Sequence, residues 1–122
     1  MKISLVGNPN SGKTSLFNQL TGLNQKIGNF PGVTVDKKSG KLKRSDSEIE
    51  ILDLPGIYSL YPKTQDEKVV YDLLRDKKHS DYPDRIVVVV DASNLERNLL
   101  LFTQVLDLGV PVTMALNMTD VA

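Results

Sequence analysis

A short glycine-rich segment near the start of the chain constrains the fold more than any other feature. Residues 7–14 read Gly-Asn-Pro-Asn-Ser-Gly-Lys-Thr, which is a glycine, four residues, and then glycine-lysine-threonine. A strand-like run at residues 2–6 precedes the segment, and a helical pattern with Leu16, Phe17 and Leu20 on one face follows it, with Gly22 as its expected end. This order of strand, glycine-rich loop and helix predicts a phosphate-binding loop in an α/β sheet.

The residue types in this loop suit phosphate chemistry. Its glycines allow backbone N–H groups to converge on phosphate oxygens, and the helix N-terminus adds partial positive charge. Lys13 would bring a full charge to the β- and γ-phosphates, and the Thr14 hydroxyl would coordinate Mg²⁺. The alternative is an ordinary glycine turn before a helix. The expected nucleotide contacts in this segment are Gly7, Asn8, Pro9, Asn10, Ser11, Gly12, Lys13, Thr14 and Ser15.

The rest of the pattern alternates between strands and helices. Residues 23–33 are polar and glycine-rich, and we expect a long loop there. The other expected elements are a polar edge strand at 37–44, a turn at 45–47, a strand at 48–53, a helix at 66–75, a charged loop at 77–84, a buried strand at 85–90, a helix from 94 to 108 and a strand at 110–116. The alternation predicts an α/β domain with a mainly parallel sheet, one antiparallel edge strand and helices on both faces.

A second motif, residues 53–56 (Asp-Leu-Pro-Gly), ends the second apolar strand. In a phosphate-loop domain, Asp53 would reach Mg²⁺ through water, and the Gly56 N–H would bind the γ-phosphate and sense its loss. The tetrapeptide alone is also typical of a strand that ends in a turn. Its position after the phosphate loop favours the nucleotide interpretation.

A third motif, residues 117–120 (Asn-Met-Thr-Asp), ends the last strand. Asp120 could accept hydrogen bonds from N1–H and the 2-amino group of guanine, whereas adenine would leave the carboxylate unpaired. Asn117 would tie the base-binding segment to the phosphate loop, and the Met118 side chain could pack under the base. The alternative is a strand-end asparagine followed by an aspartate turn.

Composition excludes several classes of protein. The 122 residues fit one domain, and 15 basic against 15 acidic residues give no net charge, which argues against nucleic acid as a partner. Without cysteine there is no disulfide or zinc-thiolate site. The longest aliphatic run, residues 86–90, is far shorter than the roughly 20 residues that cross a bilayer. The lone histidine, His79, has no metal partners at suitable spacing and is expected at the surface.

Together these strings resemble the N-terminal G domain of the bacterial ferrous iron transport protein B family. The resemblance is carried by residues 7–18, 29–35, 53–60 and 90–99, and by the asparagine-methionine form of the third motif. It covers essentially the whole chain. It implies a phosphate-loop NTPase fold of the small-GTPase type, with GTP and GDP as ligands, and slow GTP hydrolysis that regulates ferrous iron uptake.

The resemblance also implies roles for individual residues. Thr34 is similar to the switch I threonine that closes on Mg²⁺, and Asn10 is similar to the asparagine that helps to hold K⁺ in potassium-activated members. Switch I would cover residues 25–36 and switch II residues 54–64. The implied metal ligands are Thr14, Thr34 and Asp53 for Mg²⁺ and Asn10 for K⁺, and the implied catalytic residues are Asn10, Lys13, Thr34 and Gly56.

The position after the second motif departs from many small GTPases. Ile57 stands where a glutamine often orients the attacking water, so we expect slow intrinsic turnover. Two alternatives to an iron-transport GTPase stay open, namely a ribosome-assembly GTPase and a nucleotide sensor without enzymatic activity.

The implied surroundings of the domain come from the same resemblance. They are a helical regulatory domain and a membrane iron-permeation domain, at the cytoplasmic face of the bacterial inner membrane. A homo-oligomer is left open. An α/β unit normally continues with a helix after a strand like the last one, so we expect residues 1–122 to be a G domain that is incomplete at its C-terminus.

Overall fold

A mixed six-stranded sheet forms the centre of the computed structural model, which describes residues 1–9, 11–22, 24–44 and 47–117. Three α-helices and one 3₁₀ turn (Ala92–Asn94) accompany the sheet in this part of the chain. In chain order the strands and helices are β1 (Lys2–Gly7), α1 (Lys13–Thr21), β2 (Gln25–Asn29), β3 (Asp36–Arg44), β4 (Ser47–Asp53), α2 (Gln65–Arg75), β5 (Arg85–Asp91), α3 (Leu95–Leu106) and β6 (Val112–Asn117).

The strands lie in the order β2-β3-β4-β1-β5-β6. β1 is parallel to both of its neighbours, β4 and β5, and β6 is parallel to β5. β3 is antiparallel to β2 and to β4, so the antiparallel part of the sheet is a pair of strands at one edge. This arrangement confirms the predicted fold class. The carboxyl ends of β1, β4, β5 and β6 therefore meet at one edge of the sheet, where ligands of open α/β sheets bind.

Alternating side chains divide the core between the two faces of the sheet. Leu5 and Ile51 pack with Phe17 of α1 on one face. Their chain neighbours Val6 and Leu52 pack on the other face, with α2 and α3. This division follows from the two-residue period of a strand. It confirms that helices cover both faces.

One predicted loop is partly a strand. Within residues 23–33, the segment Gln25–Asn29 forms β2 and pairs antiparallel with β3. Its only bulky apolar side chain, Ile27, is 71% exposed, so the segment has none of the burial pattern that identifies a strand. β2 is held by backbone pairing, and it covers the side of β3 that the sequence predicted to be a free edge.

The helix boundaries have local causes. α2 begins with a capping box, in which the Thr64 hydroxyl accepts from the Glu67 N–H and the Glu67 carboxylate accepts from the Thr64 N–H. α3 is shorter than predicted, and its N-cap residue Asn94 makes no side-chain capping bond. Instead the Asn94 carbonyl accepts a hydrogen bond of 2.7 Å from Asn98 Nδ2. Gly109, at φ 81°, follows the helix end, where a positive φ is common.

Two polar features lie away from the strand ends. The His79 Nδ1 accepts from the Asp81 N–H at 3.0 Å in the loop after α2. Between β3 and β4, a hydrogen bond to Glu48 raises the pKa of the exposed Lys41. Over the described ranges, no group of three or more histidine or acidic residues is placed to hold a metal ion. Nor does this part of the chain contain a helix with the length and apolar character needed to span a bilayer.

Candidate functional site

The ends of β1 and β4 place the first two motifs side by side. β1 ends at Gly7 and β4 ends at Asp53. Beyond β4 the chain stays close to the phosphate loop, since the Ile57 N–H donates to the Gly7 carbonyl at 3.0 Å. Gly56 packs directly on Pro9, because a Cβ at residue 56 would lie 2.9 Å from Pro9 Cα. The second motif therefore forms one wall of the phosphate loop.

A buried ion pair lies at the centre of this site. The Lys13 ammonium, at the first residue of α1, pairs with the Asp53 carboxylate. Lys13 is 6% exposed and Asp53 is 4% exposed. The Thr14 hydroxyl donates to the second oxygen of Asp53 at 3.3 Å. Each buried side chain has a partner of opposite charge, which offsets part of the cost of removing the two groups from water.

Two adjoining cavities open at this pair, and both are bordered by Lys13, Thr14 and Gly56. The first, of about 260 Å³, is also lined by Thr34 and Asp53. The second, of about 480 Å³, runs along the phosphate loop and is also lined by Asn8, Pro9, Ser11, Gly12 and Ser15. Residues from three separate parts of the sequence thus converge on one concave surface.

Asp66, at the start of α2, lines both cavities as well. The sequence analysis did not include it among the site residues. Only its position in the first turn of the predicted helix, just after switch II, could have pointed to it. Its carboxylate adds to the charged side chains that already line the smaller cavity, which are Lys13, Asp36, Lys38 and Asp53.

Two buried polar side chains in the phosphate loop are without partners. Asn8 is 4% exposed and Ser11 is 2% exposed. Within the described ranges, neither Nδ2 nor Oδ1 of Asn8 has a hydrogen-bond partner, and the Ser11 hydroxyl has none either. Unpaired polar atoms are rare in protein interiors because burying them costs free energy. Both residues line the larger cavity, although these particular atoms are buried.

The third motif reaches the phosphate loop through Asn117. Its Nδ2 donates to the Ser11 carbonyl at 2.9 Å. Gly12 has φ 91°, and a Cβ there would lie 1.9 Å from the same nitrogen. Only glycine leaves room for this contact. The other residues predicted to recognise the base, Met118 and Asp120, lie outside the described residues, as does Asn10, to which the potassium role was given.

The predicted switch residues occupy different environments. Thr34 is exposed at the rim of the smaller cavity, and its hydroxyl donates to Gln65 Oε1 at 3.3 Å. Ile57 is 2% exposed and packs in the core with Leu54 and Leu60. Its side chain therefore faces away from the cavity. Residue 57 therefore has no side-chain amide that could orient a water.

The whole chain is similar to one family of known proteins. A family model described as "Ferrous iron transport protein B" matches residues 1–122. The curated Fe(2+) transporter FeoB of Leptospira biflexa is 51% identical over 119 residues, which are 98% of this chain and 17% of the relative. The chain thus spans about one sixth of the length of the curated relatives it matches.

Solved structures give the same result. A crystal structure of a variant S. thermophilus NFeoB bound to GDP matches with a TM-score of 0.89 and 56% identity, over 99% of this chain and 46% of that one. The cytosolic domain of L. pneumophila FeoB matches with a TM-score of 0.90 and 49% identity, over 100% of this chain and 47% of that one.

Proposed function

The chain belongs to the ferrous iron transport protein B family, and from this premise we propose that it binds GTP and GDP with Mg²⁺ and hydrolyses GTP slowly. The observation that carries the proposal is the convergence of Lys13, Thr14, Asp53 and Gly56 on one pair of cavities beside a helix N-terminus. A helix N-terminus with a lysine and free loop N–H groups favours bound phosphate. The S. thermophilus relative bound to GDP supports a guanine nucleotide as the ligand.

The buried ion pair would change partners when nucleotide binds. Lys13 would leave Asp53 for the β- and γ-phosphates, which are the stronger concentration of negative charge. The Asp53 carboxylate and the Thr14 and Thr34 hydroxyls all line the smaller cavity. They are the oxygen donors that Mg²⁺ prefers, so this donor set fits the ion. Mg²⁺ bound there with nucleotide would neutralise charge on the β- and γ-phosphates.

Hydrolysis would be slow for a structural reason. Water must attack the γ-phosphorus as the bond to the bridging oxygen breaks, giving GDP and phosphate. Gly56 lines the cavity where its N–H could hold the γ-phosphate, but Ile57 lies in the core and cannot position that water. The same observation favours a second candidate function, a guanine-nucleotide sensor whose turnover is incidental. Family membership argues against the other alternative, a ribosome-assembly GTPase.

The role of the whole protein is a further proposal. The curated relatives are named Fe(2+) transporters, and this chain matches 17% of the Leptospira biflexa protein. We propose that nucleotide binding here regulates ferrous iron passage through a membrane domain of the same protein, from the cytoplasmic face of the bacterial inner membrane. A helical regulatory domain would lie between the two.

A competition titration tests the nucleotide proposal directly. We expect GTP to displace fluorescent GDP from this chain in Mg²⁺, and ATP not to displace it, because adenine leaves the Asp120 carboxylate unpaired. Asp120→Asn keeps the size of the side chain and removes one hydrogen-bond acceptor. This variant should bind GDP more weakly than the unsubstituted chain. Equal displacement by ATP would contradict the guanine assignment. Failure of GDP to bind would contradict nucleotide binding by this chain.

The choice between enzyme and sensor needs a different measurement. We expect single-turnover GTP hydrolysis to be faster in K⁺ than in Na⁺, since the family resemblance gives Asn10 a potassium-binding role. Asn10→Ala should remove the difference between the two salts. If the chain hydrolysed GTP no faster than GTP hydrolyses without protein, in both salts, the sensor would be favoured.

A further inference from the structure

Helix α3 holds switch II at two points. The Leu60 N–H donates to Gln104 Oε1 at 2.8 Å in a partly buried contact. The Arg97 guanidinium lies 5.0 Å from the centroid of the Tyr58 ring, within range of a cation–π contact. Arg97 and Gln104 are about two helical turns apart, which puts both side chains on one face of α3. Neither residue lines the nucleotide cavities.

These contacts act on a segment that is already docked. Leu54, Ile57 and Leu60 are buried, with exposures of 1%, 2% and 8%. Gly56 lies within this segment and packs on the phosphate loop. The chain around Gly56 is thus fixed to the loop on one side and to α3 on the other. The contacts with α3 are made by Tyr58 and Leu60, just before the exposed Tyr61.

We propose that Arg97 and Gln104 form a clamp that positions Gly56 for the γ-phosphate and so sets the preference for GTP over GDP. The proposal rests on the nucleotide binding proposed above. Only GTP carries a phosphate that can reach Gly56. If the clamp were lost, GTP would have to order switch II as it binds, and the apparent affinity would fall with the fraction of competent molecules. GDP lacks this phosphate, so we expect its affinity to depend much less on the clamp.

The test compares two substitutions at one position. Gln104→Leu removes the acceptor at similar volume, whereas Gln104→Glu keeps an acceptor oxygen. We expect the leucine variant to speed amide hydrogen exchange at residue 60, measured by NMR without nucleotide. It should also weaken binding of a non-hydrolysable GTP analogue about 3- to 10-fold while GDP affinity stays within about twofold. The glutamate variant should behave like the unsubstituted chain in both measurements.

Arg97 provides a second test if Gln104→Leu should fail to fold. Arg97→Met keeps most of the aliphatic stem and removes the cation, whereas Arg97→Lys keeps the cation. The methionine variant should shift the ratio of GTP-analogue to GDP affinity in the same direction, by about 2- to 3-fold. The lysine variant should shift it less.

Several outcomes would overturn the clamp. One is an unchanged GTP-analogue to GDP ratio in Gln104→Leu when exchange at residue 60 has become faster. Another is an equal loss in the leucine and glutamate variants, because the hydrogen bond would then not be the cause. If the unsubstituted chain bound neither nucleotide, the proposed function itself would fail and the clamp with it. That result is distinguishable from the other two because it needs no variant.

Discussion

Substituting Lys13 with methionine is expected to weaken nucleotide binding strongly and to lower the free energy of unfolding by about 3–5 kcal/mol. The second effect arises because Asp53 is 4% exposed and would lose the cation that pairs with it. The first arises because the phosphates would lose a charge-assisted hydrogen-bond donor, and we expect GDP affinity to fall roughly 100-fold. Urea denaturation and a fluorescent-GDP titration measure the two effects separately.

A double variant separates these two roles of Lys13. Lys13→Met combined with Asp53→Asn removes both charges, and the asparagine can still accept from the Thr14 hydroxyl. Most of the lost stability should return, whereas nucleotide affinity should not. If the double variant were as unstable as the single one, charge imbalance could not be the cause.

Substituting Gly12 with alanine is expected to lower the free energy of unfolding by about 3–4 kcal/mol and to separate β6 from the phosphate loop. The backbone at φ 91° is unfavourable for alanine, and the new Cβ would fall 1.9 Å from Asn117 Nδ2. The Asn117 side chain must then leave the Ser11 carbonyl, which loses its 2.9 Å hydrogen bond. Thermal or urea denaturation gives the stability, and NMR chemical shifts of the Asn117 amide report its displacement.

Gly109 offers a matched control for this substitution. Its φ is 81°, and nothing lies within 4 Å of the position that a Cβ would take. Gly109→Ala therefore carries the backbone cost alone, about 1–2 kcal/mol. The difference between the two variants measures the contact between the phosphate loop and β6. If Gly12→Ala and Gly109→Ala lowered the free energy of unfolding equally, the contact of Asn117 with the phosphate loop would not require glycine at residue 12.

Strands and helices whose apolar residues recur with the period of the element were predictable from the sequence. The continuous apolar run of β5 and the apolar face of α1 identify those elements, because each side chain's environment repeats with the period of the element. The phosphate loop was predictable for a different reason, namely its fixed spacing of glycines and lysine. The sequence prediction failed at β2, where the segment Gln25–Asn29 is held by backbone pairing and leaves Ile27 exposed.

The contacts of switch II lay beyond sequence reasoning. Gln104 and Asp66 are polar residues on helices, and nothing in their local pattern distinguishes a surface side chain from one that meets a distant loop. Gln104 contacts Leu60 only because α3 packs beside the end of switch II. Asp66 reaches the cavities only because α2 begins at their rim. Both contacts depend on how helices pack against the rest of the fold. The local sequence pattern carries no information about that packing.

The position of β1 at the centre of the sheet has a consequence for synthesis on the ribosome. β1 emerges first, yet Ile3 pairs with Ile51 on one side and with Arg85 on the other. The β3–β4 hairpin is local and can form early, whereas the pairings of β1 must close long loops, which is entropically slow. Gly7 lies opposite Val89 in β5. A nascent chain that ends before β5 lacks one of the two strands that flank β1, so the strand that leads into the phosphate loop is paired on one side only until synthesis has passed β5.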